Sequence, residues 1–323
     1  MQSTNYPQPD ARKVIAIYCN EIVLGGDPFS SEYYWEAYQD LMLALEKRGL
    51  IVYLVSDNDS YQGNGRFEVA YSINGKCALD KLIKHRNVTV NMVFNRGDFR
   101  GTDVFVINDP YVQTIGMDKT KMYEHFAALQ PKSHVCYNRQ DVEAAVHSIP
   151  GEEVVIKVPT GYGGKDVHIG KKSDVLARAP TSYPLLVQEF LDTSEGVPGY
   201  IEGVHDVRLS ICGGEIIGCY IRVAKPGSMH SNVSQGGKMF FWDVSRTPAG
   251  AAKLAMEVDK IFKDYPRYYA ADFIYTKSGW KLLEINPLLA LLPVTDGPEA
   301  IITLRKLADY LAAQVDATQS TAQ

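Results

Sequence analysis

Residues 154–170 read VVIKVPTGYGGKDVHIG, and the reading of this stretch decides the fold around it. Lys157 sits inside an apolar, β-branched run that favours a strand. A turn rich in glycine follows at once, and VVIKV then pairs with VHIGK as a hairpin across it. No GK[ST] opens a helix, so the stretch is not a Walker A loop. Two readings stand. One is a plain hairpin with a snorkelling lysine. In the other, Gly161, Gly163 and Gly164 let backbone amides approach phosphate oxygens while Lys157 supplies a point charge.

Downstream the texture stays that of hairpins. Residues 185–191 (LLVQEFL) form an apolar strand, and 207–212 pair with 215–223 around Gly213 and Gly214. A helix over 249–262 precedes a last hairpin, 270–275 with 280–285, and a helix over 299–315 closes the chain. Upstream, strands at 14–18 and 51–55 flank a helix over 33–48, the opening of a parallel sheet with crossover helices. Residues 67–74 read as a strand pair or hairpin edge, 79–84 as a short helical stretch, and 90–94 and 104–108 as strands. Asp118 is placed to cap a helix running to Ala128, and 141–148 form another. Pro110 and Gly116 interrupt the pattern ahead of these helices and place the first boundary near 109–116. The expected organisation is a loose tail (1–12), an N-terminal α/β domain (13–115), a central subdomain with the glycine loop (116–184), a C-terminal subdomain (185–316) and a frayed tail (317–323).

With 323 residues, 46% hydrophobic and 22% charged, the chain can build more than one core. A net charge of −5 gives no support to non-specific nucleic-acid or anionic-membrane binding. The five cysteines are scattered without CxxC, the pattern of reduced thiols in a cytosol-like compartment. The first residues lack a secretory pattern, and no apolar run approaches the roughly 20 residues of a membrane helix. The expectation is a cytoplasmic protein with neither nucleic acid nor membrane as partner.

Chemistry gathers at three places. Asp272 lies on AADFIY (270–275), and Glu284 and Asn286 lie on KLLEINP (281–287). Strand side chains alternate, so 284 and 286 share a face, with Asp272 opposite them across the hairpin. An all-oxygen set suits Mg²⁺. Outward-facing polar residues are the plain alternative, but a carboxylate among Leu282, Leu283 and Ile285 is costly without a cation. Arg208 and Arg222 sit on one hairpin, each with a planar fork for carboxylate or phosphate. A Gly-Gly-Lys loop, within SNVSQGGK (231–238), follows them and completes an anion site.

The order of these pieces resembles the ATP-grasp superfamily, and within it the glutathione synthetase and ribosomal-protein glutamate ligase group. The matching series is VIND and DKTKM (106–122), VVIKVPTGYGGKDV, LLVQEFL, HDVRLSICGGEIIGCYIRVAK (205–225), SNVSQGGK, and AADFIY with KLLEINP, spanning about residues 90–290. The resemblance implies an α/β fold, α+β in its C-terminal part, with a Rossmann-like domain followed by two subdomains that sandwich ATP. It implies Lys119 and Lys157 on the ATP phosphates, with Gly161–Gly164 as their covering loop. Gln188, Glu189, Phe190 and Leu191 would be the hinge that receives adenine. Asp206 falls at a polar contact near ribose or acceptor, where Glu195 and Glu202 compete. Arg208 and Arg222 would bind the substrate carboxyl and steady the transferred phosphoryl group, assisted by Asn232. Asp272, Glu284 and Asn286 would hold magnesium, two ions with Mn²⁺ as a substitute.

The implied activity is an ATP- and Mg²⁺-dependent carboxylate–amine ligase working through an acyl phosphate. Its partners would be a small-molecule or peptide carboxylate and an amine acceptor, and a homodimer is common for such ligases. Two rivals share the fold: a kinase that stops at phosphoryl transfer, and a catalytically silent nucleotide-binding regulatory protein. After EIN the chain departs from the resemblance with PLLALLPV (287–294), which leaves the acceptor side open. Asn95–Asp98, near a strand end of the first domain, is expected to help choose the acid.

Overall fold

The computed structural model describes residues 13–161, 167–228, 231 and 236–320. Contacts divide the chain into two compact units, one running up to Ile107 and resuming at Ala290, the other Asn108–Leu289. Among the described residues no helix is long and apolar enough to cross a membrane.

The first unit contains β1 (Val14–Tyr18), α1 (Glu32–Glu46), β2 (Ile51–Val55), β3 (Arg66–Ser72), β4 (Ile83–Thr89), β5 (Met92–Asn95) and β6 (Phe105–Ile107). They form one sheet in the order β4-β3-β2-β1-β5-β6. β1 runs parallel to both β2 and β5, and β5 is parallel to β6. Interior parallel strands are covered on both faces, which is why VIAIY and IVYLV are unbroken apolar runs. The helical stretch expected at 79–84 is a single 3₁₀ turn, Leu79–Lys81, and Ile83 onward joins the sheet as β4. Its sequence, IKHRNVT, hid that role because an edge strand carries charge rather than alternation. The strand order reverses between β1 and β5, with β2 to β4 added on one side of β1 and β5 and β6 on the other. There Asn20 Oδ1 accepts the Asp98 amide at 2.8 Å, and a Cβ on residue 97 would fall 2.2 Å from that oxygen, so any side chain at 97 would displace Asn20 from this contact. The C-terminal helix, Pro298–Ser320, packs on α1 and continues through residues expected to fray.

The second unit opens with α2 (Pro110–Met117) and α3 (Lys119–Phe126). Pro110 starts α2 instead of breaking the chain, with Asp109 accepting the Tyr111 amide at 2.8 Å. β7 (Ser133–Cys136), α4 (Arg139–Ser148), β8 (Glu153–Lys157), β9 (Val167–Lys171), α5 (Lys172–Arg178) and β10 (Leu185–Glu189) follow. Their antiparallel sheet has the order β7-β10-β8-β9. β11 (His205–Cys212), β12 (Glu215–Val223), β13 (Lys238–Trp242), α6 (Ala249–Asp259), β14 (Tyr268–Thr276) and β15 (Gly279–Asn286) complete the unit. They build a second antiparallel sheet, β13-β12-β11-β14-β15. Each sheet has its own core: α4 and α5 contribute to the first, and α2, α3 and α6 to the second.

Candidate active site

Strand alternation answers why Lys157 is buried. Val154 and Ile156 of β8 enter the core shared with α4. Val155 and Lys157 therefore face the other way, into a cavity they line with Val167, Ile169 and Gln188 of the same sheet. Lys157 is only 6% exposed. Its Nζ donates to Gln188 Oε1 at 2.7 Å, and Gln188 Nε2 donates to Ser133 Oγ at 2.9 Å. Burial pulls the Lys157 ammonium down to about 8; Glu284 opposes the fall and Lys119 adds to it.

Lys119 reaches the same cavity from the first turn of α3. Asp118 caps that helix, accepting the Thr120 amide at 2.8 Å and the Lys121 amide at 3.3 Å. The Lys119 ammonium donates to the Gly161 carbonyl at 2.7 Å and pairs with Glu284 Oε1 at 3.2 Å. Asp118→Ala is expected to cost about 1 kcal/mol through the lost cap. Because the cap fixes the helix end that carries Lys119, nucleotide affinity should fall with the melting temperature. Thermal denaturation and nucleotide titration of the same preparation check both.

The second sheet supplies the other wall. Asp272 on β14 stands opposite Arg208 on β11 and Glu284 on β15, and Arg222 on β12 stands opposite Asp206. The register slips after Asp272, so Phe273 pairs with Leu282 and Leu283 is the extra residue. That bulge turns Leu283 and Glu284 together toward the cavity while Leu282 and Ile285 both enter the core.

Buried charges on this face alternate. Arg208 grips Asp272 with both arms, Nε to Oδ1 at 2.5 Å and Nη2 to Oδ2 at 2.6 Å. Arg222 donates to Asp272 Oδ2 at 2.8 Å and to Asp206 Oδ1 at 2.7 Å. Ser231 Oγ donates to the other Asp206 oxygen. Burial alone would push the Asp272 carboxyl up, yet the two guanidiniums outweigh it and hold it below the usual carboxylate range.

Two carboxylates and an amide are donor types that a hard cation takes. Here, however, Asp272 gives both oxygens to Arg208 and Arg222, and Asn286 turns its amide nitrogen toward it. Asp272 and Glu284 face each other in register, and Asn286 Nδ2 lies 3.4 Å from Asp272 Oδ2. Among the described residues no group of three or more histidine, cysteine or carboxylate side chains converges, so the set reaches three donors only by including the amide of Asn286. Four side-chain cations here (Lys119, Lys157, Arg208, Arg222) meet three carboxylates (Asp206, Asp272, Glu284), a surplus of one charge.

One cavity thus gathers Lys119, Lys157, Gly161, Gln188, Glu189, Phe190, Leu191, Asp206, Arg222, Asp272 and Glu284. Arg208 and Asn286 do not line it and touch it through Asp272. Gly163, Gly164 and Asn232 lie outside the described residues. Two of these side chains already have protein partners. Asp206 spends both oxygens on Arg222 and Ser231, and Glu189 Oε1 accepts the Lys132 amide at 2.7 Å. Ser133 had no cue in the sequence, whereas His205 and Ser231 stand at the heads of the quoted stretches 205–225 and 231–238 without a role of their own.

Residues 118–295, more than half of the chain, match the RimK-like ATP-grasp domain. A glutathione synthetase from Gloeobacter violaceus is 33% identical over 152 residues, 45% of this chain and 43% of that protein. A probable alpha-L-glutamate ligase from Rhodopirellula baltica is 25% identical over 229 residues, 68% of this chain and 52% of that protein. The chain spans about half the length of these curated relatives. The structure of D-alanyl-alanine synthetase A from Vibrio cholerae superposes with a TM-score of 0.65 at 13% identity, over 95% of this chain and 98% of that one. That likeness is one of fold.

Proposed function

Because the chain belongs to the RimK-like ATP-grasp family, we propose that it is a magnesium-dependent ligase joining a carboxylate to an amine as ATP becomes ADP and phosphate. The observation that carries this reading is the meeting of Lys119, Lys157, Arg222, Asp272 and Glu284 around one cavity. They come from segments far apart in the chain, and what they share is charge of the kind a triphosphate needs.

Lys119 and Lys157 hold the phosphates. Val155 and Ile169 from one sheet and Ile274 and Leu283 from the other give the adenine ring two apolar faces. Arg222, oriented by Asp206, is the arginine that faces the transferred phosphoryl group and the substrate carboxyl, and Arg208 holds Asp272 in place beside it. Magnesium, held by Asp272, Glu284 and Asn286, would neutralise charge on the phosphate oxygens. In the first step a carboxylate oxygen bonds to the γ-phosphorus as the bond to ADP breaks. In the second the amine nitrogen bonds to the acyl carbon, phosphate departs, and the amine proton passes to water. Neither step needs a side-chain nucleophile.

Candidate carboxylates crossed with amines, in the presence of ATP and Mg²⁺ or Mn²⁺, test the reading by phosphate release and mass spectrometry. The expected result is an amide product with ADP and phosphate in equal amounts. ADP with a phosphorylated acceptor and no free phosphate would instead identify a kinase. No ADP with any pair would identify a silent nucleotide-binding protein.

Lys157 makes a second, pH-dependent expectation. A triphosphate favours the ammonium form, so the bound lysine titrates above its free value of about 8. Affinity for ATP should therefore fall as pH rises through that value, and binding above it should take up a proton. Calorimetry in buffers of different ionisation heat should find the uptake in the wild type and not in Lys157→Met. That variant should also bind ATP about 10- to 100-fold more weakly, the loss of a charge-assisted hydrogen bond. Unchanged affinity would make Lys157 a structural residue.

A further inference from the structure

The row of side chains that crosses the second sheet does not end at the arginines. Residues directly opposite in an antiparallel sheet share a face, and here Glu284, Asp272, Arg208, Tyr220 and Phe241 stand opposite one another in turn across five strands. One step along, Asp206, Arg222 and Met239 make the parallel row. We propose that Tyr220, Met239 and Phe241 form an apolar subsite that selects a carboxylate substrate with an aromatic or large aliphatic group beside its carboxyl.

Three observations carry this. The Arg208 guanidinium lies over the Tyr220 ring, 5.8 Å from its centroid, and donates to its hydroxyl at 3.3 Å. The charged end of the row is thereby tied to its aromatic end. Tyr220 and Phe241 then meet at 5.8 Å with rings tilted by 58°, and Phe241 and Met239 are half-buried. Finally, the side chains of β12 and β13 on this face are Gly218, Tyr220, Arg222, Met239 and Phe241, so Arg222 carries the only charge on these two strands there. Strands lie about 4.8 Å apart, and Met239 on β13 stands directly opposite Arg222, the arginine that lines the cavity, so the apolar patch begins one strand beyond a carboxyl held at Arg222. On the described residues of these two strands, a second carboxylate there would meet a sulfur and two rings, with no cation beyond Arg222. Tyr220 keeps Arg208 in place, and Phe241 and Met239 set the size and polarity of what is accepted.

This subsite rests on the ligase reading for its carboxylate, so its test uses binding, not turnover. Ligand-observed NMR titration of the full chain, with and without a non-hydrolysable ATP analogue, compares 3-phenylpropanoate and N-acetylphenylalanine with glutarate and N-acetylglutamate. The aromatic acids are expected to bind about tenfold or more tightly than the diacids. Phe241→Ala and Met239→Ala should each remove most of that preference while nucleotide affinity holds. Phe241→Arg, which keeps bulk at the position if the alanine variant folds poorly, should turn the preference toward glutarate. Equal or tighter binding of the diacids to the wild type, no saturable binding of either aromatic acid, or an unchanged ratio in Phe241→Arg overturns the proposal. Absence of ADP formation with aromatic selectivity intact would instead count against the ligase reading and leave the subsite standing.

Discussion

Glu284→Gln is expected to lower Mg²⁺-dependent ATP cleavage by about 100-fold or more, through loss of an anionic oxygen where phosphate charge must be neutralised. The same change should leave the fold almost untouched. The Glu284 side chain is 27% exposed, and its ion-pair partner, Lys119, keeps a second acceptor in the Gly161 carbonyl. The Lys119 side chain is only 11% exposed, so the pair is part-buried, but glutamine can still accept from it and the loss should be on the order of 1 kcal/mol. The bulge at Leu283 is held by the strand ladder, with Leu282 and Ile285 anchored in the core on either side, so glutamine inherits the orientation. ADP formation across a Mg²⁺ titration, beside thermal denaturation, separates the two effects. A rate near that of the wild type at saturating Mg²⁺ would remove Glu284 from the metal set.

How far such residues can be read from sequence depends on which physical pattern announces them. The hairpins of residues 154–170 and 205–223 were legible because apolar alternation and glycine turns are local signals. β4, β7, β13 and α5 were not, because a short or charged edge element has no core-facing periodicity of its own. KLLEINP shows a subtler limit. Strict alternation would put Leu282 on the face of Glu284 and Asn286, yet the bulge sends Leu282 to the core and brings Leu283 to the cavity. Nothing within the strand announces the slip; it exists only relative to β14.

The residue types of the site were legible and their mutual pairing was not. Asp206 read as a polar group near the ligand, but its partner Arg222 lies sixteen positions away on the neighbouring strand, and their contact follows from register alone. Lys157 read as either a snorkelling or a cavity-facing lysine. The choice depended on whether the far side of β8 was covered, and α4 covers it. Ser133 carried no signal, since its hydroxyl matters only as the next acceptor after Gln188.

Asp272 presents the opposite case to Glu284, because its substitution should destabilise the fold and impair activity. At 1% exposure it is the shared counter-charge of Arg208 and Arg222. Asparagine preserves the shape but offers one acceptor oxygen and turns an NH₂ group toward a guanidinium. Breaking one side of a buried ion network leaves uncompensated charge, a cost of about 3–5 kcal/mol. For a unit of this size that corresponds to a fall of roughly 10 °C in melting temperature. The pH dependence has a definite sign. The Asp272 carboxyl is held below the ordinary carboxylate range by the two arginines, with burial opposing them. Its stabilisation is therefore complete above the unfolded-state value of about 4 and is lost as pH falls through the lower folded-state value. Wild type and Asp272→Asn should differ most near neutrality and converge in acid. Denaturant unfolding at neutral and acid pH measures that difference, and equal stability of the two proteins at neutral pH would mean that the arginines do not depend on Asp272 for their charge balance.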